Sequence, residues 1–516
     1  MRERLHDRRL SIGSSRQLIA IAVQLPLPDV LQPPPRHRRV YCNRSLRMDS
    51  IATVGFDMDY TLAIYDQTGM DRLSIEATAR KLVERGYPER ILRMHYRTDF
   101  PIRGLLIDRE YGNVLKMDRY KYVKKAYHGL RELGRDERRD LYHTTRLRPE
   151  TRRYHWVDTL YGLSEVSVYA AVVDDLERDG PTAVDYDRLF TDVRECIDAA
   201  HQDGSILDEV VKEPSRYVVR DPELGPTLHK LRSSGKRTFL LTNSKPAYTD
   251  HMMRYLLNHG LAEYPSWQNY FDVVVAASMK PRFFTGDAPF EEVIDNGRLD
   301  PLRERAARPG TRAATSFERG HIYCGGNIHD FERWMAVSGD QVLYVGDHIY
   351  GDVLRAKKET AWRTAMIVQE MTTEIDALAA QSREIGRVAQ LEELHEQLVM
   401  ELRSVQGELK ASQRQVEGDG GAAEADPSVV RQRHAIDQLR GQMRAIDAEI
   451  DSLEHEVDRA FHPFWGSLFK AGPEMSSFGD QVESYACLYT DRATNLGAYS
   501  PAHFFRSPRD QMPHEL

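Results

Sequence analysis

The chain has 516 residues, with 71 Lys and Arg against 79 Asp and Glu, and a formal net charge of −8. Its composition is 41% hydrophobic and 29% charged, which is typical of a globular protein with enough apolar mass for several domains. No apolar run approaches the ~18 residues that span a bilayer, so composition argues against an integral membrane protein. Residues 1–47 hold ten Arg and three acids, a net +7 that leaves −15 on the rest. Such an acidic body argues against nucleic acid as a partner.

The first 37 residues combine arginine, a short apolar stretch and a Pro triplet. Three interpretations are open: a disordered tail, a targeting peptide, or sequence upstream of the natural start, of which composition favours the first. The cysteines lie far apart and form no CxxC pair, which argues against a disulfide framework or a structural zinc site and favours a cytoplasmic location. They are Cys42, Cys196, Cys324 and Cys487.

Short apolar runs separated by helical patterns predict an α/β fold with a parallel, doubly wound, Rossmann-like sheet. Helical patterns cover residues 74–86 and 248–260, for example. In such a sheet ligands bind beyond the carboxyl ends of the strands, so the residues that end each run are candidates for a site. The predicted strands are TVGF (53–56), RTFLLT (237–242), DVVVAAS (272–278), QVLYVGD (341–347) and RTAMIV (363–368).

The chain between the first two runs breaks this alternation and predicts an inserted, helix-rich cap, with a strand pair over residues 111–129. Residues 374–416 and 430–461 predict two amphipathic helices that form a hairpin around a Gly/Asp-rich tip near 418–428. The predicted units are a disordered Arg/Pro-rich tail (1–37), a catalytic core (38–72 and 235–370), a cap that binds the substrate base (73–234), a helical hairpin (371–465) and a C-terminal segment packed on the core (466–516).

Two carboxylates follow the first predicted strand, Asp57 and Asp59 in the sequence FDMDYTLA. One can attack a substrate phosphorus while the other moves protons to and from the leaving oxygen. Taken alone, the pair fits a solvated loop about as well.

Three further strand ends carry matching chemistry. The hydroxyl and N–H groups after the second run can bind phosphate oxygens, and Lys280 after the third offers a cation. Asp347 and Asp352 after the fourth offer oxygen ligands for Mg²⁺. Four such groups at four strand ends favour a phosphate-handling site over chance. The residues after the second run are Thr242, Asn243 and Ser244.

This ordered set of DxDxT, TNS, Lys and GDxxxxD resembles the haloacid-dehalogenase superfamily of phosphotransferases. Longer stretches resemble the cytosolic purine 5′-nucleotidase family, which prefers IMP and GMP, over residues 40–370, and more weakly in GSLFKAG (466–472) and MPHE (512–515). The stretches are VYCNRSLRMDSIATVGFDMDYTLAIY, FPIRGLLIDREYGNVLKMD, FDVVVAASMKPRFF and VLYVGDHIYGDVLRAKKETAWRT.

The resemblance implies a Mg²⁺-dependent 5′-nucleotidase that forms an aspartyl-phosphate intermediate. It implies that Asp57 is the nucleophile and Asp59 the general acid and then base. Mg²⁺ would be held by Asp57, the backbone carbonyl of Asp59 and Asp347, with Asp352 in support. The implied phosphate-binding residues are Thr242, Asn243, Ser244 and Lys280.

For the base, the resemblance implies a stacking aromatic, Tyr161, and a cap helix. Asp198 and His201 lie three residues apart and share a face of that helix. Leu207 and Gln202 stand where the family has a Lys and an aromatic residue, which leaves the preferred purine open. The implied base-binding residues are Tyr161, Arg194, Asp198 and His201.

The resemblance also implies a nucleotide effector site. Asp158 stands where an Asn is usual and Ser484 where an Arg is usual. An added carboxylate and a missing cation both oppose binding of a polyphosphate, so we expect weakened activation by ATP. The matching effector residues are Arg148, Tyr350, Lys358, Gln481 and Tyr485.

Three hypotheses follow for the function. The first is a purine 5′-monophosphate phosphohydrolase that forms a homo-oligomer and could also transfer phosphate to nucleosides. The second is a haloacid-dehalogenase phosphatase for another phosphomonoester. The third is an inactive scaffold whose helical hairpin binds partners, against which the presence of Asp57, Asp59, Lys280 and Asp347 argues. The sequence does not fix the number of subunits.

Overall fold

The computed structural model describes residues 33–143, 147–178, 184–258, 260–294, 301, 310–418 and 426–508. The predicted tail up to residue 32, most of the predicted hairpin tip and the MPHE motif lie outside these residues.

A ten-stranded mixed sheet forms the centre of the protein, and its inner strands are apolar runs buried on both faces. Every residue of TVGF and VLYVG is buried. The strands are β1 (Tyr41–Cys42), β2 (Thr53–Phe56), β3 (Arg237–Leu241), β4 (Val273–Ala276), β5 (Phe290–Val293), β6 (Thr311–Ala313), β7 (Ile322–Gly325), β8 (Val342–Gly346), β9 (Arg363–Ile367) and β10 (Leu488–Thr490). The five predicted strands are confirmed as β2, β3, β4, β8 and β9.

The strand order is β1-β10-β9-β8-β2-β3-β4-β7-β5-β6, and the run from β10 to β7 is parallel. Phe56 of β2 is in register with Leu240 of β3 and Val345 of β8. The chain moves outward from β2 through β3 and β4 to β7, and then returns to the other side of β2 with β8. Ligands of α/β sheets bind at such a reversal, beyond the carboxyl ends of the strands.

The segment between β2 and β3 contains a five-stranded antiparallel sheet as well as helices, so the helix-rich prediction was incomplete. The predicted strand pair is present as Asn113–Met117 and Val123–His128, and the sheet also holds Leu105–Asp108, Arg131–Glu132 and Tyr154–Val157. Buried runs of four to six residues carry no periodicity that separates strand from helix. The helices of this segment are α1 (Gln67–Glu84), α2 (Arg135–Tyr142), α3 (Leu163–Arg178), α4 (Tyr186–Gln202), α5 (Leu207–Lys212), α6 (Pro214–Tyr217) and α7 (Leu224–Ser233).

The chain crosses between this segment and the core through a two-stranded ribbon, in which Ile64–Tyr65 pairs antiparallel with Val218–Val219. The proposed boundary at residue 72 lies inside α1, which begins at Gln67. The domain limits remain a prediction. The helices that follow β3 are α8 (Pro246–Leu257), α9 (Arg282–Thr285), α10 (Ile328–Met335), α11 (Arg355–Glu359), α12 (Met371–Ala380), α13 (Ser382–Gly418), α14 (Pro427–Phe461) and α15 (Ser477–Tyr485).

Helices α13 and α14 lie antiparallel, since Arg387 pairs with Glu449 at 2.9 Å and His395 with Asp447 at 3.4 Å. The first predicted helix is divided, because α12 ends at Ala380 and α13 begins at Ser382. One stripe of α14 is buried, as expected for an amphipathic helix: Val429, Ile436, Leu439 and Ile446. Within the described residues, no helix combines the length and apolar character needed to cross a membrane.

The C-terminal segment packs on both the core and the cap. Its strand β10 extends the main sheet beside β9, and Phe504–Phe505 pairs with Leu46–Arg47. The buried Lys116 of the cap sheet donates to the carbonyls of Trp465 at 2.6 Å and Ser467 at 2.5 Å. The C-terminal segment therefore ties the cap sheet to the core.

Candidate active site

Asp57 and Asp59 lie at the carboxyl end of β2, in the middle of the sheet. The N–H of Asp57 donates to the carbonyl of Val345 in β8 at 2.8 Å. The N–H of Met58 donates to Asp57 Oδ1, also at 2.8 Å. Tyr60 then adopts φ = +54°, a conformation that costs free energy and is concentrated at functional sites. The strand end and this turn direct both carboxylates into one cavity.

The carboxylate of Asp59 has a hydroxyl partner on each oxygen. Ser244 Oγ donates to Oδ2 at 2.6 Å, and the Tyr65 hydroxyl donates to Oδ1 at 2.6 Å. Burial raises the pKa of Asp59 above its ordinary value, although these two hydrogen bonds oppose the shift. A carboxyl group with a raised pKa is suited to carry a proton.

Lys280, which follows β4, is a buried cation beside the carboxylates of this cluster. Its ammonium group lies 3.1 Å from Asp57 Oδ1 and donates to Asp352 Oδ1 at 2.6 Å and the Tyr344 hydroxyl at 2.7 Å. Burial lowers the pKa of Lys280, but the Asp352 and Asp57 carboxylates more than offset this and raise it. The group is therefore a fixed positive charge beside Asp57.

The residues of the predicted phosphate-binding run have different contacts in the structure. The Asn243 side chain accepts from the N–H of Lys280 at 2.6 Å and donates to the carbonyl of Lys280 at 2.9 Å. It therefore fixes the loop that carries the lysine. The Thr242 hydroxyl accepts from the N–H of Ser244 at 3.1 Å. All three residues line the cavity. Their contact with phosphate remains a prediction, and we expect their backbone N–H groups to be the main donors.

Three acidic side chains meet closely enough to hold one metal ion: oxygens of Asp57, Asp347 and Asp352 all lie within 4.8 Å of one another. Burial raises the pKa of Asp57 well above its ordinary value. Burial and the Asp352 carboxylate raise the pKa of Asp347 to about 7. Three carboxylates beside one ammonium leave excess negative charge, and oxygen ligands suit a hard divalent cation such as Mg²⁺. The residues present fit that ion.

A fully buried arginine supports the loop that carries Asp347. Arg103 Nη1 donates to the backbone carbonyl of Asp347 at 3.0 Å. Its other nitrogens bind both oxygens of Glu370, at 2.8 and 2.6 Å. The guanidinium also lies over the Phe478 ring, 5.2 Å from its centroid. Arg103 thus joins the cap segment, the site and the C-terminal helix α15.

The cavity, about 540 Å³ in volume, runs from these carboxylates to helix α4. At its cap end the rings of Tyr161 and His201 lie 4.3 Å apart at 36°. His201 Nε2 is buried with no hydrogen-bond partner among the described residues, and burial lowers the pKa of His201 to about 4. A neutral ring with a free nitrogen can exchange a hydrogen bond with a ligand.

The other two predicted base-binding residues are arranged differently. Arg194 lines the cavity but donates to Glu165 at 2.9 Å. Asp198 lies 3.7 Å from Arg194 with half of its side chain exposed, and it is not among the cavity-lining residues. Gln202 and Leu207 both line the cavity. The structure thus places Tyr161, Arg194 and His201 together in the cavity lining. Asp198 lies next to Arg194, outside that lining.

Four of the five predicted effector residues lie in neighbouring elements. Lys358 Nζ lies over the Tyr485 ring at 5.8 Å, and Tyr350 binds Arg355. Gln481 Oε1 is buried, and no described residue forms a hydrogen bond with it. Arg148 lies in the loop before the strand Tyr154–Val157. The predicted effector site therefore remains a prediction.

A model of the 5′ nucleotidase family matches residues 40–516, which is most of the chain. The chain belongs to the 5′ nucleotidase family. The family resemblance found in the sequence is thereby confirmed.

Curated relatives agree with this assignment. A 5′-nucleotidase domain-containing protein of Dictyostelium discoideum is 27% identical over 486 residues, covering 92% of this chain and 75% of the relative. 5′-nucleotidase domain-containing protein 2 is 31% identical over 348 residues in Rattus norvegicus and 32% over 357 residues in Homo sapiens. These matches cover 65% of this chain and 60% and 64% of the relatives, so the chain spans less than two thirds of either mammalian protein.

Among solved structures, CbbY from Rhodobacter sphaeroides in complex with phosphate is 14% identical. The alignment covers 61% of this chain and 86% of that chain, with a TM-score of 0.22. A score this low supports no conclusion about fold or function.

Sequence reasoning missed several residues of this 5′ nucleotidase site. Tyr65 and Tyr248 lie beside Asp59, and Arg103 and Glu370 support Asp347. His348 lies 3.4 Å from Asp158, which raises the pKa of His348 despite its burial. Tyr65, the last residue of DYTLAIY, lies close to the DxD motif in sequence, and this proximity was the one local indication of its role. The others reach the site through tertiary packing.

Proposed function

We propose that the protein is a Mg²⁺-dependent 5′-nucleotidase that hydrolyses purine nucleoside 5′-monophosphates, with IMP and GMP as its preferred substrates. The observation that carries the proposal is the single cavity that joins Asp57, Asp59 and Lys280 to the Tyr161 and His201 rings. Its volume of about 540 Å³ is in the range of small-molecule sites. The two ends match the two parts of a nucleotide, a phosphate and a flat base.

In the first step, an oxygen of Asp57 attacks phosphorus and the bond between phosphorus and O5′ breaks. Asp59 gives its proton to O5′, and the nucleoside leaves as a neutral alcohol. In the second step, Asp59 takes a proton from water as that water attacks the phosphorus of the aspartyl-phosphate. Phosphate is released, and Asp57 regains its carboxylate.

Charge compensation supports this assignment. Lys280 Nζ lies 3.1 Å from Asp57 Oδ1, and Lys280 can follow the phosphoryl oxygens during transfer. Mg²⁺ held by Asp57 and Asp347, with Asp352 nearby, would supply further positive charge to the phosphoryl oxygens. Asp352 already accepts from Lys280 and from the N–H of His348, at 3.2 Å, so we assign it a supporting role.

Base recognition would use the cap end of the cavity. A purine can stack on Tyr161 and exchange a hydrogen bond with His201 Nε2, which has no partner within the described part of the chain. Such stacking is worth about 0.5–1.5 kcal/mol beyond area burial. Leu207 and Gln202, which stand where the family has a Lys and an aromatic residue, bring no fixed charge to this end. This departure from the family favours a second candidate, a phosphatase for another phosphomonoester.

A substrate panel separates the two candidates. We expect kcat/KM with Mg²⁺ to be about 10-fold or more higher for IMP and GMP than for UMP or ribose 5-phosphate, since only purines fill the stacking end. AMP tests the choice of purine, and the Asp57→Asn variant measures contaminating phosphatase. Equal values for ribose 5-phosphate and IMP would support the second candidate.

We further propose that the aspartyl-phosphate can pass its phosphoryl group to a nucleoside in place of water. The same Asp59 would then take the proton from the acceptor 5′-hydroxyl. Incubation of IMP with labelled guanosine tests this, since labelled GMP forms only by transfer. Weak ATP activation and a homo-oligomeric state remain proposals, to be tested by rate measurements with ATP at fixed Mg²⁺ and by light scattering.

A further inference from the structure

The carboxyl group of Asp59 is held by hydroxyls from separate parts of the chain. Tyr65 bonds Oδ1 at 2.6 Å, and Ser244, in the loop after β3, bonds Oδ2 at 2.6 Å. The Tyr65 hydroxyl is also 2.9 Å from the hydroxyl of Tyr248 in α8. Because each oxygen has its own partner, the carboxyl plane cannot rotate without breaking a hydrogen bond.

Tyr65 is itself tightly placed. It is only 5% exposed, and its ring lies 4.9 Å from the Tyr60 ring. Its backbone pairs with Val218 in the ribbon that joins cap and core, where the N–H of Asp66 donates to the carbonyl of Tyr217 at 2.8 Å. The Tyr65 hydroxyl is therefore a fixed point against which Asp59 is aligned.

We propose that Tyr65, held by Tyr248, is a positioning residue that aims the Asp59 carboxyl group at the leaving oxygen O5′ of the nucleotide. This inference rests on the proposed function. In the step concerned, the Asp57 oxygen–phosphorus bond forms, the phosphorus–O5′ bond breaks, and the Asp59 proton moves to O5′. Tyr65 and Tyr248 exchange no proton with the substrate.

The hydrogen-bond chemistry allows this role in both protonation states of Asp59. An ionised carboxylate accepts from both hydroxyls, and a protonated carboxyl keeps acceptor lone pairs while its O–H points to O5′. Tyr65 can therefore hold Oδ1 before and after proton transfer. Ser244 is committed to Oδ2, so its hydroxyl serves Asp59 rather than the phosphate.

A purely structural role for Tyr65 predicts different kinetics. Loss of a structural hydroxyl would disturb the whole site and slow every substrate equally. Loss of a positioning contact to the general acid should slow only substrates whose leaving group needs a proton. An alkoxide needs one, whereas a thiolate leaves without it, because thiols ionise near neutral pH.

The test compares IMP with its analogue in which sulfur replaces the bridging O5′, using the full chain and Mg²⁺. For Tyr65→Phe we expect kcat/KM to fall about 10- to 100-fold with IMP but less than about 3-fold with the sulfur analogue. The ratio kcat/KM reports the steps up to departure of the leaving group, so slow hydrolysis of the aspartyl-phosphate does not mask the effect. Tyr248→Phe should show the same selectivity with a smaller fall.

Tyr270→Phe is the matched control, since Tyr270 is fully buried and its hydroxyl accepts from the N–H of Leu261 at 3.0 Å. Tyr270→Phe should not lower kcat/KM for one substrate more than for the other. If Tyr65→Phe does not fold, Tyr248→Phe carries the test alone. An equal fall with both substrates, or no fall, would overturn the inference. A wild-type protein inactive on both would instead contradict the proposed function.

Discussion

The two ends of the cavity differ in how much of their hydrogen-bonding capacity the protein itself uses. At the core end, Lys280 contacts two carboxylates and a hydroxyl, and both oxygens of Asp59 are bonded. At the cap end, His201 Nε2 has no hydrogen-bond partner in the part of the chain that the structure describes, and Tyr161 is 42% exposed. The core end is thus organised before a ligand binds, while the cap end keeps capacity free for one. Changes at the core should act on kcat, and changes at the cap on KM.

Removal of the divalent cation should produce the largest effect at the core end. We expect chelation to lower the rate of phosphate release at least ~100-fold, since three clustered carboxylates lose their compensating charge. Mg²⁺ should also raise the melting temperature of the wild type by mass action, but not that of Asp347→Asn. Full activity in excess chelator would contradict the metal assignment.

Replacement of the buried ammonium should be the next largest change. In Lys280→Met, Asp57 and Asp352 lose a buried cationic partner, and we expect kcat to fall ~100-fold. Breaking a buried ion pair also costs about 3–5 kcal/mol of unfolding free energy, measured by urea denaturation. Lys470→Met, at an exposed lysine outside the site, is the control. Unchanged kcat in Lys280→Met would show that the core end does not depend on this charge.

At the cap end, loss of the stacking ring should change binding and leave turnover intact. We expect Tyr161→Ala to raise KM for IMP by about 10-fold with kcat within about 2-fold, since stacking acts on both the ground and the transition state. Ribose 5-phosphate, which has no base, serves as the internal control and should be unaffected. A fall in kcat with unchanged KM would contradict the claim that the cap end acts on binding and the core end on turnover.

The smallest expected effect concerns pH. Burial lowers the pKa of His201 to about 4, whereas an unfolded His takes up its proton near pH ~6.5. The stability contributed by the neutral ring is therefore complete above pH ~6.5 and is lost as pH falls towards 4. The ratio of KM for IMP between His201→Gln and wild type should stay constant between pH 5.5 and 8. A shift of that ratio near pH 6.5 would mean that the ring is solvated.

Sequence reasoning was strongest where side chains follow long apolar strands. TVGF and VLYVG are buried throughout, so their apolar patterns predicted the sheet. The residues that follow the strands could then be placed at one site, because the carboxyl ends of parallel strands meet at the same edge of a sheet. The short edge strands, such as β1 with two residues and β6 with three exposed ones, carry no such pattern. In the cap, the predicted strand pair is present, whereas the buried run Leu105–Asp108 carries no periodicity that separates strand from helix.

The support of the site could not be predicted, because it depends on contacts between distant parts of the chain. Arg103 reaches Glu370 across 267 positions, and Tyr65 reaches Tyr248 across 183. No local spacing encodes such pairs. Asp198 illustrates the reverse case: its helical spacing from His201 is right, yet its side chain pairs with Arg194 outside the cavity lining.

The measurement that tests the central claim most directly is the site of phosphorylation during turnover. Enzyme quenched in acid while hydrolysing IMP with Mg²⁺ would be digested and its peptides analysed by mass spectrometry. We predict phosphate on Asp57 in the wild type, no phosphopeptide in Asp57→Asn, and a fall of at least ~10³-fold in phosphate release by that variant. Undiminished release by Asp57→Asn would contradict the assignment of Asp57 as the nucleophile.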